Sequence, residues 1–354
     1  MRNNSYCSLL SQGKKMVLLP LLFLVCLILA FSFTSCTDED DDDDIDIRLE
    51  VDWLNINGND LLRPDQEVIK NRIVKAFEDH GYTVEIQVSN AIPHATGQLA
   101  LGPTTSRTFY DLFGPDTEYG QLKAAHKSNG DDWHYCIIAW QFYFSDQQSV
   151  IQASGAAELP GKNFVLAGAF YTPPTQHYQN YMSNTLMHEW GHNLGLRHGG
   201  FEDHNFKPNY NSIMNYRYQL DGHDTNCDAW GEGRGNISGG TGDFSSGSNI
   251  NLDETAIYEP FGVCGDVGID WTGDGYIDPD TNYYGNLDIN TQTGQPYDAN
   301  LTVLQDNNDW ANLNTSGAKS YGLHGEYSIC DNIHPDADPH MSFKGWWVKH
   351  GDKF

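Results

Sequence analysis

The sequence predicts an α/β (α+β) fold, in which a mixed, twisted sheet packs against two long helices and is followed by an irregular second half. Three observations support this. Segments with strand periodicity recur between residues 46 and 171, two segments have helical periodicity, and Gly, Asn and Asp dominate after about residue 215. With 39% hydrophobic and 12% aromatic residues, the chain of 354 residues can bury a large core.

The first elements are a strand, a helix and a second strand. The segment "IRLEVDWLNI" (47–56) alternates apolar and polar residues, as a half-buried strand does. The segment "PDQEVIKNRIVKAFEDHGY" (64–82) begins at a proline, and its helix ends near Gly81. Its apolar residues recur at helical spacing and predict an amphipathic helix: Val68, Ile69, Ile73, Val74 and Phe77. The segment "YTVEIQV" (82–88) alternates again.

The sheet is completed by apolar runs. The runs "WHYCIIAWQFYF" (133–144) and "NFVLAGAFY" (163–171) suit central strands, and "GAAELPG" (155–161) suits a short edge strand. A second long helix is predicted over about residues 179–194. There is no internal repeat, so we expect one domain whose second half is irregular.

The N-terminus has the pattern of a secretory signal. Arg2, Lys14 and Lys15 precede an apolar run (16–33), and small residues follow it. Cys36 after "TS" resembles the lipobox of bacterial lipoproteins, which implies lipidation of Cys36 as the mature N-terminus. The following "TDEDDDDD" resembles the acidic export signal of surface lipoproteins of the Bacteroidetes group. A signal anchor and plain secretion are the alternatives, and each places the remaining chain outside the cytoplasm.

Charge restricts the partners of the mature chain. Three of the 20 Lys and Arg residues and none of the 48 Asp and Glu residues precede Cys36, so the net charge becomes 17 − 48 = −31. Nucleic acid is therefore excluded as a partner, since its phosphates require Lys and Arg. Membrane contact is expected only through the lipid at Cys36.

Four cysteines remain after the leader: Cys136, Cys227, Cys264 and Cys330. Cys227 and Cys264 lie in Gly- and Asp-rich segments and could pair in an oxidising compartment. Cys136 lies in the apolar run "YCIIAW", which is typical of a buried small hydrophobic residue. No spacing among the four indicates a zinc knuckle, and their pairing stays open.

The chemistry is carried by "LMHEWGHNLGLRHGG" (186–200). His188 and His192 are four residues apart, so they project from one face of a helix and can share a metal ion. His198 would lie ~15 Å from His188 on a continued helix, which is too far. The helix must therefore turn back, and Gly195 permits this because glycine accepts the left-handed conformation.

Three histidines are the ligand set of a catalytic zinc ion, because a fourth coordination position stays open. A water at that position becomes acidic, and Glu189, beside the first ligand, is placed to take its proton. The natural reaction is hydrolysis of a peptide bond without a covalent intermediate.

The string HExxHxxGxxH resembles the zinc signature of the metzincin metallopeptidases at all five defining positions: His188, Glu189, His192, Gly195 and His198. "NSIMNYRY" (211–218) resembles the Met-turn of that family, which implies that Met214 forms a hydrophobic floor beneath the metal. Tyr216 matches the Met-x-Tyr arrangement of astacin-like and serralysin-like members. That match implies a tyrosine that ligates zinc or stabilises the oxyanion.

The resemblance covers about residues 46–220 and implies a metzincin-like zincin catalytic domain. We expect a signal peptide (1–35), an acidic linker (36–45) and a metallopeptidase domain (46–354). The domain divides into an upper sheet and helix subdomain (46–198) and a lower irregular subdomain (199–354). Neither a cysteine-switch segment nor serralysin-type calcium repeats occur, and no room remains for a prodomain, so activity without a large propeptide is expected.

A structural calcium ion is expected in "DVGIDWTGDGYIDPDTN" (266–282). Its residues fill positions of an EF-hand-type loop: Asp270, Thr272, Asp274, Tyr276 and Asp278. Position 12 would be Thr281 rather than a bidentate carboxylate, so a calcium-free Asp/Gly turn is the alternative.

The sequence thus favours a surface-anchored or secreted zinc metalloendopeptidase acting on a protein or peptide. The alternative is a cell-surface binding lipoprotein, for glycans or host proteins, that retains the metalloprotease fold without turnover. Glu189 and the open zinc position favour the enzyme. Substrate preference and oligomeric state are not readable from the sequence.

Overall fold

The computed structural model describes residues 45–103, 112–146, 150–151, 153–170, 176–232, 240–279, 287–292, 295–296, 300–315 and 326–330. Cys36, the leader and all but the last residue of the acidic linker lie outside these ranges. The same holds for Thr281. Among the described residues, no helix combines the length and hydropathy that a membrane span requires.

Twelve strands and three helices of four or more residues form the described fold. In chain order they are β1 (Ile47–Ile56), α1 (66–79), β2 (Val84–His94), β3 (Gln98–Leu101), α2 (Glu118–His126), β4 (His134–Ala139), β5 (Gln141–Phe144), β6 (Gly155–Leu159), β7 (Asn163–Ala167), α3 (Gln176–Asn193), β8 (Leu252–Asp253), β9 (Thr291–Gln292), β10 (Gln295–Pro296), β11 (Val303–Leu304) and β12 (Glu326–Cys330).

The main sheet is mixed, as predicted, and has the order β12-β6-β7-β4-β1-β2. Strand β1 pairs in parallel with β2 and β4, and β4 pairs in parallel with β7. Strand β6 runs antiparallel to β7 on one side and to β12 on the other. The strand predicted over 155–161 forms as β6. The prediction that it is an edge strand was wrong, because β12 from the C-terminal region pairs with it and forms the edge instead.

Another difference concerns the apolar run 133–144. It is divided at Trp140, which belongs to neither strand, into β4 of the main sheet and β5, which pairs with β3 in a separate two-stranded sheet. Both strands are mostly buried, and continuous burial leaves no alternation that would mark where one strand ends.

Helix α1 combines an α-helical turn (Gln66–Ile69), a π-helical turn (Lys70–Val74) and a further α-helical turn (Lys75–Asp79). The Asp65 carboxylate caps it by accepting hydrogen bonds from Glu67 N (2.9 Å) and Val68 N (3.2 Å). Its apolar face contributes Phe77 to an aromatic cluster, with ring centroids 5.0 Å from Trp190 and 5.1 Å from Trp310. This cluster joins α1 to α3 and to the second half of the chain.

Helix α2 was not predicted. Its N-cap residue is Thr117, whose side-chain hydroxyl oxygen accepts a hydrogen bond from Gly120 N at 2.9 Å. Only Tyr119 and Gly120 of its nine residues are buried, so the sequence lacks the apolar stripe by which an amphipathic helix is recognised.

The second half is irregular, as expected, and has its own small apolar cluster. The buried members are Ala229, Leu252, Ile257, Val263, Ile289 and Leu304. A disulfide between Cys227 and Cys264, with Cα atoms 5.9 Å apart, closes this region, so the pairing that the sequence left open is formed. Cys136 is a buried free thiol on β4.

We expect Phe77→Ala to lower the free energy of unfolding by about 3–5 kcal/mol, because it removes a fully buried ring from the aromatic cluster. Urea unfolding followed by tryptophan fluorescence measures the loss. The matched control is Glu78→Ala, at the exposed neighbouring position of the same helix, and equal losses for the two variants would contradict the proposed packing role.

Candidate metal centre

The third helix carries two histidines one turn apart and ends abruptly after them. His188 and His192 are both fully buried on α3. Leu196 N donates to the Gly191 carbonyl (2.9 Å) and Gly195 N donates to the His192 carbonyl (2.9 Å), which together form a Schellman motif. Gly195 has φ +95°, so the left-handed turn predicted at this glycine is present.

The chain then folds back in a four-residue turn that contains His198. Arg197 and Gly200 exchange both backbone hydrogen bonds, at 2.9 and 3.0 Å. The His198 ring centroid consequently lies 5.4 Å from that of His188 and 4.8 Å from that of His192. One ligand atom from each histidine lies within 4.8 Å of the others, so the three imidazoles can hold one metal ion.

Hydrogen bonds fix the tautomer of two of these rings. His188 Nδ1 is 2.6 Å from the Ile213 carbonyl, and His192 Nδ1 is 2.8 Å from the Leu196 carbonyl. A carbonyl oxygen only accepts, so each Nδ1 carries the proton. Burial lowers the pKa of both imidazoles well below the ordinary value, which keeps each ring neutral with a lone pair on Nε2.

The two Nε2 atoms lie 3.1 Å apart. Two neutral acceptors at this distance repel each other unless a cation lies between them and the third imidazole. The donor set therefore fits a transition-metal ion such as zinc. Within the described part of the chain, no other group of three His, Cys, Asp or Glu residues converges in this way.

Met214, the residue of the predicted Met-turn, lies against the histidine helix. Its side chain is fully buried, and a Cβ on Gly191 of α3 would lie 2.5 Å from its sulfur. The preceding residue, Ile213, supplies the carbonyl that orients His188. The turn therefore contacts the metal centre both through packing and through a hydrogen bond.

Tyr216 lies beside the third histidine. Its ring centroid is 4.3 Å from that of His198 and 6.0 Å from that of His188, and its side chain is 9% exposed. Tyr216 N donates to Asn205 Oδ1 at 3.0 Å, which holds the backbone of the turn.

Glu189 is fully buried and extends from α3 towards the main sheet. A Cβ at Gly155 would overlap the Glu189 carboxylate, so only glycine leaves room for this carboxylate at the start of β6. No pattern in the sequence indicates this contact, because only the tertiary fold brings positions 155 and 189 together.

Lys207 is a supporting residue that the sequence analysis missed. It is fully buried, and its Nζ donates to the Gly199 carbonyl (2.8 Å), to Glu202 Oε1 (3.0 Å) and to the Gln305 carbonyl (2.7 Å). All three ammonium protons are thereby used. The contact to the residue after His198 fixes the returning turn to the second half of the chain.

Asp309 is a second support. Its buried carboxylate accepts hydrogen bonds from four residues around the Met-turn: Tyr210 OH (2.9 and 2.8 Å), Ser212 Oγ (2.6 Å), Ser245 N (3.1 Å) and Asn307 Nδ2 (2.7 Å). Burial raises the pKa of Asp309 to about 6, although these donors oppose the shift.

The predicted calcium loop forms a closed turn. The Asp270 carboxylate accepts hydrogen bonds from Gly273 N (2.7 Å) and Gly275 N (2.7 Å), and these bonds lower its pKa. The side chain of Tyr276 is 75% exposed. The three described acids of this loop, Asp270, Asp274 and Asp278, do not converge as a metal site. The structure thus lends calcium binding here no support.

Comparisons with known proteins give a distant likeness of fold. No protein-family model matches the chain, and no curated protein matches it in sequence. Among solved structures, it is similar to archaemetzincin from Methanopyrus kandleri, with a TM-score of 0.29 and 17% identity over 48% of this chain and 81% of that chain. It is also similar to archaemetzincin from Archaeoglobus fulgidus complexed with malonate, with a TM-score of 0.30 and 17% identity over 56% of this chain and 96% of that chain.

We expect Gly195→Ala to lower the free energy of unfolding by about 1–2 kcal/mol and to weaken zinc binding, because φ +95° is strained for alanine. The nearest atom to the new Cβ would be Asn314 Cβ at 3.7 Å, so the cost is conformational rather than steric. Urea unfolding and competition with a chromophoric chelator measure the two effects. Gly195→Asn is the control, since asparagine tolerates this conformation better, and it should lose less than alanine.

We expect the stability contributed by Asp309 to fall as the pH rises. Its folded-state pKa of about 6 exceeds its ordinary value of 3.8, so the stabilising effect of protonation is fully present below pH ~4 and is lost as the pH rises through about 6. Between pH 4 and 7, Asp309→Asn should gain about 2 kcal/mol relative to the wild type. Urea unfolding at both pH values measures this, and a difference that does not change with pH would contradict it.

Proposed function

We propose that the chain is a zinc-dependent metalloendopeptidase, in which His188, His192 and His198 hold the zinc ion and Glu189 is the general base. One observation carries the proposal. Two buried, neutral imidazoles present their Nε2 lone pairs to each other at 3.1 Å, with a third imidazole beside them. Such a donor set leaves a coordination position for substrate, as catalytic rather than structural zinc sites do.

When bound, zinc would act as a Lewis acid, which lowers the pKa of a water to about 7 and polarises a substrate carbonyl. The remaining chemistry belongs to the side chains. Glu189 accepts the proton of the attacking water on a carboxylate oxygen and then delivers it to the leaving amine nitrogen. Since the Glu189 carboxylate is buried against Gly155, its orientation is restricted before substrate arrives.

Tyr216 and Met214 have separate parts in this proposal. The Tyr216 hydroxyl group donates a hydrogen bond to the carbonyl oxygen as negative charge develops there, which the ring position beside His198 supports. Met214 packs under the histidine helix and keeps the Ile213 carbonyl on His188 Nδ1. It positions a ligand and does not touch substrate.

The location that we propose is the cell surface, with a lipid anchor at Cys36 and a protein or peptide as substrate. The disulfide between Cys227 and Cys264 supports a location outside the cytoplasm, because disulfides persist in oxidising compartments. The described acids of the 270–278 loop form no metal-binding cluster, and calcium binding there is not part of this proposal.

The test is hydrolysis of a quenched-fluorescent unfolded protein by the zinc-loaded chain from Thr37 onward. Glu189→Gln should retain stoichiometric zinc and lose about 10²–10⁴-fold in turnover, because it removes the general base alone. Glu78→Gln, at an exposed position on α1, is the matched control and should retain full activity.

The outcomes separate the two readings of the sequence. Cleavage by the wild type that is lost in Glu189→Gln establishes the peptidase. If the wild type binds zinc stoichiometrically and cleaves none of a diverse set of unfolded proteins, the proposal fails, and the surface-binding lipoprotein without turnover is favoured. If Glu189→Gln cleaves as fast as the wild type, the role of Glu189 is wrong.

A further inference from the structure

A second polar cluster, separate from the histidines, surrounds Glu254 in the second half of the chain. Glu254 follows β8 and is fully buried. Its Oε1 accepts a hydrogen bond from Ile289 N and its Oε2 accepts one from Thr302 N, both at 2.9 Å. The carboxylate therefore joins three segments that are distant in sequence.

Apolar and polar side chains alternate along residues 287–290. Leu287 and Ile289 pack on the small apolar cluster, whereas Asp288 and Asn290 are not part of it. Burial raises the pKa of the Glu254 carboxyl group, and the negative charge of Asp288 acts in the same direction. The backbone N–H of Asn290 also donates to Glu254.

Asn290 and Thr302 each have buried polar atoms that lack hydrogen-bond partners among the described residues. The Asn290 side chain is 0% exposed, and neither Oδ1 nor Nδ2 has a hydrogen-bond partner among the residues that the structure describes. The Thr302 hydroxyl oxygen is likewise buried without a partner. A buried polar group left in this way destabilises the fold, so such groups call for an explanation such as a bound ion or water.

The contrast with Asp309 shows that this fold can satisfy a buried carboxylate completely. Asp309 accepts hydrogen bonds from four residues and leaves their donors satisfied. Around Glu254, by contrast, the Asn290 amide and the Thr302 hydroxyl group lack hydrogen-bond partners among the described residues. A second carboxylate, that of Asp288, acts on Glu254 through its charge. Within the described residues, no Lys, Arg or His forms an ion pair with Glu254.

We propose that Glu254, Asp288, Asn290 and Thr302 form a site for one hard divalent cation of the calcium class. The available ligand atoms are carboxylate, amide and hydroxyl oxygens, which calcium prefers and which zinc binds less readily than imidazole. Two carboxylates neutralise the ion. A water molecule in the same place would satisfy the Asn290 and Thr302 side chains but would carry no positive charge to match the two carboxylates.

The ion stabilises the second half of the chain. It joins the segment after β8 to residues 288–290 and to Thr302, which precedes β11. Gln305 follows β11, and its carbonyl binds Lys207, which in turn holds the Gly199 carbonyl next to His198. Calcium therefore orders chain that supports the turn of the third histidine.

The test uses the chain from Thr37 onward, stripped of metals and reloaded with one equivalent of zinc. Calcium is then titrated by isothermal calorimetry, and the melting temperature is followed with and without calcium. We expect one calcium ion to bind and the melting temperature to rise by several degrees at 100 times the dissociation constant. Asn290→Ala and Thr302→Val should each weaken calcium binding about tenfold or more.

Asp274→Asn is the matched control, since it alters the 270–278 loop and leaves Glu254 untouched. It should bind calcium like the wild type. Thr302→Val is nearly isosteric, so it keeps the test decisive if Asn290→Ala does not fold. Three results would each overturn the proposal: a wild type that binds no calcium, calcium affinity unchanged in Thr302→Val, or affinity lost in Asp274→Asn alone.

Discussion

Repulsion between two imidazole lone pairs is the constraint on which the rest of the structure depends. Bringing two neutral Nε2 atoms to 3.1 Å in a water-excluded interior is unfavourable without a cation, so the surrounding chain must hold both rings rigidly. Backbone carbonyls do this for His188 and His192 from opposite directions, one from the Met-turn and one from the helix C-terminus. The Schellman turn at Gly195 thus both reverses the chain and supplies, through Leu196, an orienting acceptor.

The same constraint is met by buried polar groups that support the histidine region from outside the helix. Lys207 fixes the turn of the third ligand, and Asp309 fixes Tyr210 and Ser212 beside the Met-turn. Ionic and polar groups are costly to bury, and both are retained here with complete sets of hydrogen-bond partners. Each joins the histidine region to residues 305–309, so the irregular second half forms part of the support for the metal centre.

Much of this arrangement is local in sequence and was therefore predictable. The spacing of His188, His192, Gly195 and His198 fixes the helix, the turn and the convergence, because helical geometry leaves one way to satisfy it. Strand β1 and helix α1 were predicted from their periodicity, but β1 is almost entirely buried rather than half-buried, because it lies between β2 and β4. Helix α2 was not predicted, since it buries only Tyr119 and Gly120. Gly155 against Glu189 and Lys207 with Gln305 could not be predicted, because only the tertiary fold brings them together.

Strand β6, whose first residue borders the Glu189 carboxylate, has neighbours on both sides. Strand β7 pairs with one edge, and Cys330 of β12 lies opposite Gly155 on the other. A polypeptide that approached Glu189 by adding itself to β6 as a further strand would have to compete with a strand of the same chain, whose effective concentration is high. A peptide that pairs with this edge of β6 must therefore first displace β12. This requirement does not depend on the metal or its ligands.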